Sequence, residues 1–272
     1  MPVLQLGRRL SYGEAGFGEE VVLVHGSPGD GRSWARVVRA LPANLRALTP
    51  DLPGYGGSDA ISCVPAHRTE ALADGVGALI RARAAPVWLC GHSYGGNVAL
   101  HAAIAHRERV KGLLLIEPVF IRGLELANEQ DVLVKTRAYF TTYMVRVAFA
   151  EPDAVGLMVD FWFGDGAYAT MPSQVQRFLN GAVHKNAEDV QATLSERIGA
   201  AELAAFGRPV LIAVGSASPA ITKLIAGALA ALLPSARVVD VPGAGHGMLD
   251  SHPQEVVGLI GALRSSINVD EQ

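Results

Sequence analysis

A serine framed by glycines, Gly91-His92-Ser93-Tyr94-Gly95-Gly96, stands where the apolar run 87–90 gives way to the alanine-rich run 97–103. A hydroxyl on a sharp strand-to-helix turn is pushed clear of its sheet, and the residues two places to either side must be small for the chain to bend. Gly91 and Gly95 fill those two places. A helix starting behind the serine also aims unpaired backbone N–H groups, and the positive end of its dipole, at charge developing above the oxygen. The chemistry that suits these residue types is nucleophilic attack, and the turn reads as a nucleophile elbow. Gly-x-Ser-x-Gly alone recurs by chance, so the strand before it and the helix after it give the motif its weight.

The rest of the chain must supply a scaffold for that serine. At 272 residues it is long for an average domain but ordinary for one α/β core carrying an insertion. Half of the residues are hydrophobic and the net charge is −3, so no basic surface is offered to a phosphate backbone and nucleic acid is not an expected partner. The first residues show no apolar segment behind Arg8 and Arg9, and the longest apolar run, 224–233, is too short to span a bilayer. These features predict a cytoplasmic protein with no membrane partner. Cys90 falls in the strand beneath the elbow and Cys63 in a loop, so no disulfide is expected.

Along the chain, residues 3–15 alternate as two short strands, and a glycine-rich turn leads into Val21-Val22-Leu23-Val24, an unbroken apolar run of the kind buried on both faces of a parallel sheet. His25-Gly26-Ser27-Pro28-Gly29-Asp30 follows, then an amphipathic helix from Ser33. In this βα unit the glycines let the loop backbone approach a ligand closely, so one of its N–H groups could join that of the elbow in binding an oxyanion. Residues 45–48 form another strand, followed by Thr49-Pro50-Asp51-Leu52-Pro53-Gly54-Tyr55-Gly56-Gly57-Ser58-Asp59, in which Asp51 and Asp59 read as acceptors that tie the loop. Residues 67–84 read as a helix with Leu72, Val76, Leu79 and Ile80 on one face.

Three of these segments together resemble the α/β-hydrolase superfamily: His25-Gly26-Ser27-Pro28 its oxyanion loop, 51–59 its second hallmark loop and 91–96 its elbow. The resemblance covers 3–120 and 205–266 and implies a mostly parallel, eight-stranded twisted sheet flanked by helices. It also implies that Ser93 is the nucleophile and that the amides of Ser27 and Tyr94 form the oxyanion hole, leaving His92 and His101 without a catalytic role. The superfamily order of serine, acid, histidine calls for a late base, and His246 in Gly243-Ala244-Gly245-His246-Gly247 supplies one. The acid departs from the common pattern, because the strand 209–215 continues into Ser216-Ala217-Ser218-Pro219 without a carboxylate. Glu117, at the end of the strand 112–116, is the candidate, an acid position similar to that of the haloalkane-dehalogenase branch. Asp240, Asp250 or no acid at all are the alternatives. Since that branch attacks with aspartate, Ser93 argues against dehalogenation and epoxide opening.

Between 120 and 205 the βα rhythm yields to helices at 131–150, 152–162, 172–183 and 188–198, read as a helical cap inserted between core segments 1–119 and 206–272. Its aromatic residues, with Trp34 near the oxyanion loop, suggest an apolar pocket, and Trp34, Phe120, Phe140, Tyr143, Phe161 and Trp162 are the candidate substrate-binding residues. The function expected is hydrolysis of an ester, thioester or lactone of a small, largely apolar molecule through an acyl-enzyme on Ser93. Carbon–carbon hydrolysis or acyl transfer by the same residues, or a non-catalytic binding protein on this scaffold, are the alternatives. No cofactor is required: the histidines lack zinc-ligand spacing, so no metal is expected, and no dinucleotide fingerprint occurs.

Overall fold

The computed structural model describes residues 2–5 and 8–266. Eight strands run β1 (Val3–Gln5), β2 (Arg9–Gly16), β3 (Glu19–Val24), β4 (Leu45–Pro50), β5 (Val87–His92), β6 (Val110–Ile116), β7 (Val210–Gly215) and β8 (Ala236–Val241). They form one sheet in the order β1-β2-β4-β3-β5-β6-β7-β8, antiparallel at β1–β2 and β2–β4 and parallel from β4 to β8. Parallel pairing puts the C-terminal ends of β3, β5, β6, β7 and β8 along one edge. The loops that follow them carry Ser27, Ser93, Glu117, Ser218 and His246 respectively.

The helices are α1 (Ala35–Ala40), α2 (Arg68–Arg81), α3 (Tyr94–Ala105), α4 (Arg122–Leu126), α5 (Gln130–Ala148), α6 (Gly156–Phe163), α7 (Ala167–Thr170), α8 (Ser173–Gly181), α9 (Val183–Leu194), α10 (Ala200–Ala204), α11 (Ala220–Leu232), α12 (Met248–Ser251) and α13 (Pro253–Ser265). The apolar strands are buried on both faces, which explains why they lack an apolar–polar alternation. Val22, Val24, Leu113 and Leu115 face the side covered by α2, α3 and α11. Val21, Leu23, Leu114 and Ile116 face α1, α12 and α13. Cys63 and Cys90 are both free, and no helix among the described residues is long and apolar enough to cross a membrane.

Helices α4–α10 intervene between β6 and β7, in the stretch where sequence periodicity predicts helices. The boundaries differ from those expected. The helix expected at 188–198 runs instead as α9 from Val183 to Leu194, because its inward face carries Asn186 and Asp189, both buried, and a periodicity argument counts such polar residues as facing outward. The amphipathic helix expected from Ser33 begins as a 3-10 turn, Gly31–Trp34, before α1. Residues 267–272 of the expected second core segment lie outside the described residues.

The elbow is a packing constraint as much as a turn. A Cβ at Gly95 would lie 2.3 Å from the His25 carbonyl oxygen and 2.5 Å from that of Val24, and one at Gly91 would lie 2.3 Å from the Gly95 oxygen. These neighbours are backbone atoms of β3, the residue after it and α3, and cannot swing aside. Gly95→Ala should therefore destabilise the fold by about 3 kcal/mol, measurable as a shift in the urea unfolding midpoint; an unchanged midpoint would show that the three elements are less tightly packed than described.

Candidate active site

Ser93 occupies the turn between β5 and α3 with φ 54° and ψ −127°, a conformation that costs a side-chain-bearing residue of order 1–3 kcal/mol. Its N–H donates to the Ile116 oxygen at 2.9 Å, and its carbonyl accepts from Gly96 N at 2.8 Å. Its Oγ lies 3.0 Å from His246 Nε2. On the far side of the ring, His246 Nδ1 lies 3.2 Å from Glu117 Oε2. A carboxylate only accepts, so Nδ1 carries the hydrogen and Nε2 is left free to take one from Ser93.

Glu117 is fully buried. It follows β6 directly, with φ 49°, and its second oxygen accepts from Gly215 N at 2.6 Å and Ser218 Oγ at 2.7 Å. Burial pushes its pKa up, but the hydrogen bonds from His246, Gly215 and Ser218, with the charge of His246, outweigh that and hold the carboxyl below its ordinary value of 4.5. The loop after β7 thus carries no acid of its own and instead supplies donors to the acid ending the adjacent strand. The alternatives face solvent: Asp240 and Asp250 are exposed and pair with Lys223 and Arg36.

Three rings enclose His246. Trp162 stacks on it at 5.3 Å with 18° between planes, Phe163 meets it edge-on at 5.2 Å, and His92 tilts against it at 5.2 Å. His92 is held neutral, its pKa drawn down to about 3 by burial and by neighbouring His246, and its Nε2 donates to the His246 carbonyl at 2.8 Å. That contact fixes the loop carrying the imidazole, a role the sequence reading did not give His92. His101 lies apart, in a buried pair with Glu196 at 2.6 Å.

Ser93, His92 and His246 line a cavity of about 340 Å³, within the range of small-molecule sites. Ser27 and Tyr94 line it beside Ser93, and neither backbone amide has an acceptor among the described residues. The walls are apolar, including Val119, Phe140, Met158, Val159, Trp162, Phe163 and Leu179. Of the expected substrate-binding residues, Phe140 and Trp162 line the cavity and Trp34, Phe120, Tyr143 and Phe161 do not. Trp34 is wholly buried on the opposite face of the sheet, among Val37, Met248 and Val256. Phe120 is buried within the core beneath α4 and α11. Phe161 stands behind Phe140 and Trp162, and Tyr143 backs the wall with its hydroxyl donating to Asn186 Oδ1 at 2.7 Å.

The sequence reading missed a polar patch of this wall. Asn186, Asp189 and Thr193 line the cavity from α9. Asp189 is buried and pairs with Arg68 of α2 at 2.6 Å; burial raises its pKa, and Arg68, Ser27 and Tyr55 only partly offset that. A helical pattern with polar residues at 186, 189 and 193 was the available signal. His25, also buried, accepts from Leu52 N at 3.0 Å and donates to Gly26 O at 2.8 Å. It ties the 26–30 loop to the 51–59 loop, where Asp51 accepts from Gly31 N and Gly57 N as a loop anchor.

A serine at a strand-to-helix turn, hydrogen-bonded to a histidine over the C-terminal edge of a mostly parallel sheet and under helices inserted after β6, is the arrangement of an α/β hydrolase. A profile of the alpha/beta hydrolase family matches residues 21–259, and the chain belongs to that family. A protein named pimeloyl-[acyl-carrier protein] methyl ester esterase from Chromobacterium violaceum is 31% identical over 250 residues, 89% of this chain and 85% of that protein. One of the same name from Vibrio atlanticus is 36% identical over 121 residues, which is 41% of this chain and spans less than half, 45%, of that relative. Among solved structures, a thermophilic esterase from Thermogutta terrifontis superposes with a TM-score of 0.71 at 24% identity, covering 96% of this chain and 94% of that one, a likeness of fold. Fold and family together mark the chain as an α/β hydrolase.

Because folded Glu117 takes up its proton only below 4.5, while the unfolded chain does so near that value, acid protonates the unfolded chain first and stability falls as pH drops from about 4.5 through the folded pKa. Urea unfolding at a series of pH values should show wild type losing more stability than Glu117→Gln as pH falls below about 4.5; parallel curves would mean that Glu117 is not held charged by its donors.

Proposed function

We propose that this protein is a serine esterase that cleaves small, largely apolar esters through an acyl-enzyme on Ser93, with residues 120–205 acting as a cap over the site. The observation that carries the reading is the hydrogen-bonded line from Ser93 Oγ to His246 and on to buried Glu117, at 3.0 and 3.2 Å, with Ser93 and His246 lining an apolar cavity. In the first half-reaction His246 Nε2 removes the Ser93 proton as Oγ bonds to the ester carbonyl carbon. The carbonyl oxygen takes the negative charge and accepts hydrogen bonds from the amides of Ser27 and Tyr94. Glu117 stabilises the imidazolium, which then protonates the departing alkoxide as the carbon–oxygen bond breaks. Water, deprotonated by the same histidine, attacks the acyl-enzyme and releases the acid, and Ser93 recovers its proton.

The surroundings favour this sequence. Trp162 stacked on His246 shields the imidazole from bulk water and gains attraction for it once it is charged. The apolar walls suit an acyl or aryl group and leave the substrate carbonyl as the polar centre. That full-length relatives carry the name of a methyl ester esterase supports a small alcohol as leaving group. The substrate is taken to be a small molecule of the cytoplasm.

A graded series of p-nitrophenyl esters, with fluorophosphonate labelling in parallel, tests the reading. Wild type should hydrolyse the shorter esters and take up the label. Ser93→Ala should take up none and lose turnover by roughly 10⁴-fold or more, and Glu117→Gln by roughly 10³-fold. A wild type that neither hydrolyses nor labels would point to a binding protein on this scaffold.

A further inference from the structure

The cavity wall carries a chain of hydrogen bonds that catalysis by Ser93, His246 and Glu117 does not use. The Tyr143 hydroxyl donates to Asn186 Oδ1 at 2.7 Å, and Asn186 Nδ2 donates to Ser27 Oγ at 3.1 Å. The Ser27 hydroxyl lies 3.4 Å from that of Tyr55, and the Tyr55 hydroxyl donates to Asp189 Oδ2. Asp189 Oδ1 accepts from Arg68 Nε at 2.6 Å. With Tyr55 spending its hydrogen on the carboxylate and Asn186 donating into Ser27, the Ser27 hydroxyl donates onward to Tyr55, and every bond points from Tyr143 toward Asp189. Ser27 is therefore gripped from two sides by groups answering to α9, on which Asn186 and Asp189 stand one turn apart.

What the grip holds is the middle of the 26–30 loop. The ends of that loop are fixed independently, His25 to Leu52 N and Gly31 N to Asp51. Between them, Asp30 turns its carboxylate to Arg32, and in the remaining stretch Gly26-Ser27-Pro28-Gly29 the Ser27 hydroxyl is the one side-chain hydrogen-bonding handle. A loop with glycines on both sides of its functional amide has backbone freedom to lose, and a buried polar relay removes it.

We propose that Asn186, Tyr55 and Asp189 are positioning residues that aim the Ser27 amide at the developing oxyanion, so that turnover depends on the seating of α9 against the core. The proposal rests on the assignment of Ser93 as nucleophile and Ser27 N–H as oxyanion donor made above.

The test is a double-mutant cycle of Ser27→Ala and Asn186→Leu in the full chain, with kcat and KM on p-nitrophenyl butyrate read separately, and Ser93→Ala run beside it. Each single variant is expected to lose roughly 10- to 100-fold in kcat with KM within about twofold. The double variant should be no slower than the slower single, and Ser27→Thr, which keeps the hydroxyl, should retain most of kcat. If Asn186→Leu does not fold, Tyr55→Phe replaces it with the same expectations, since it removes the hydroxyl between Ser27 and Asp189. With Ser93→Ala inactive, additive losses, losses confined to KM, unchanged kcat, or a Ser27→Thr as slow as Ser27→Ala overturn the relay and leave the nucleophile standing. Turnover that survives in Ser93→Ala overturns both.

Discussion

The strained backbone of Ser93 is the constraint on which the rest depends. At φ 54° and ψ −127° the residue sits in a region that side chains disfavour, and nothing local to the turn repays the cost. Repayment comes from the close approach of β3, β5 and α3, with Gly95 against the His25 and Val24 carbonyls and the Ser93 amide bonded to Ile116 of β6. The same approach brings the loop after β3 beside the start of α3, so Ser27 and Tyr94 line the cavity together with Ser93. Position and electrostatics at this site have a common mechanical origin.

Burial then selects which charges survive there. A carboxylate enclosed like that of Glu117 is tolerated only with donors on its oxygens, and three residues supply them: His246 from beyond β8, Gly215 at the end of β7 and Ser218 just beyond it. An imidazole between a carboxylate and a hydroxyl has its tautomer dictated by the carboxylate. His92, kept neutral by burial, holds the backbone of His246 without bringing a competing charge into the site. Asp189 follows the same logic on the opposite wall, where Arg68 and Tyr55 meet its charge.

Legibility in the sequence followed how local the determinants were. Ser93, with its glycines and flanking strand and helix, is written in consecutive residues, and so are the loop 25–30 and the His246 loop. Glu117 was readable because burial at the end of an apolar strand leaves a carboxylate few uses. The polar relay was not readable: Arg68 and Asp189, or Ser27 and Asn186, are far apart along the chain, and inward-facing polar residues on α9 resemble a solvated face until the fold is known. Aromatic residues failed for the converse reason. Trp34 and Phe120 look like pocket residues by type, yet the side of the sheet on which each falls is settled by register and helix docking, which type does not encode.

The proposed mechanism turns on a covalent bond between Ser93 and the substrate's acyl group, and rapid-quench mass spectrometry with a slowly turned-over p-nitrophenyl ester reads that bond directly. A transient mass increase equal to the acyl group is expected, confined to the peptide bearing Ser93 and decaying as acid is released. Steady hydrolysis with no adduct at any time on a reaction that is slow to deacylate, or an adduct on a different residue, would contradict it.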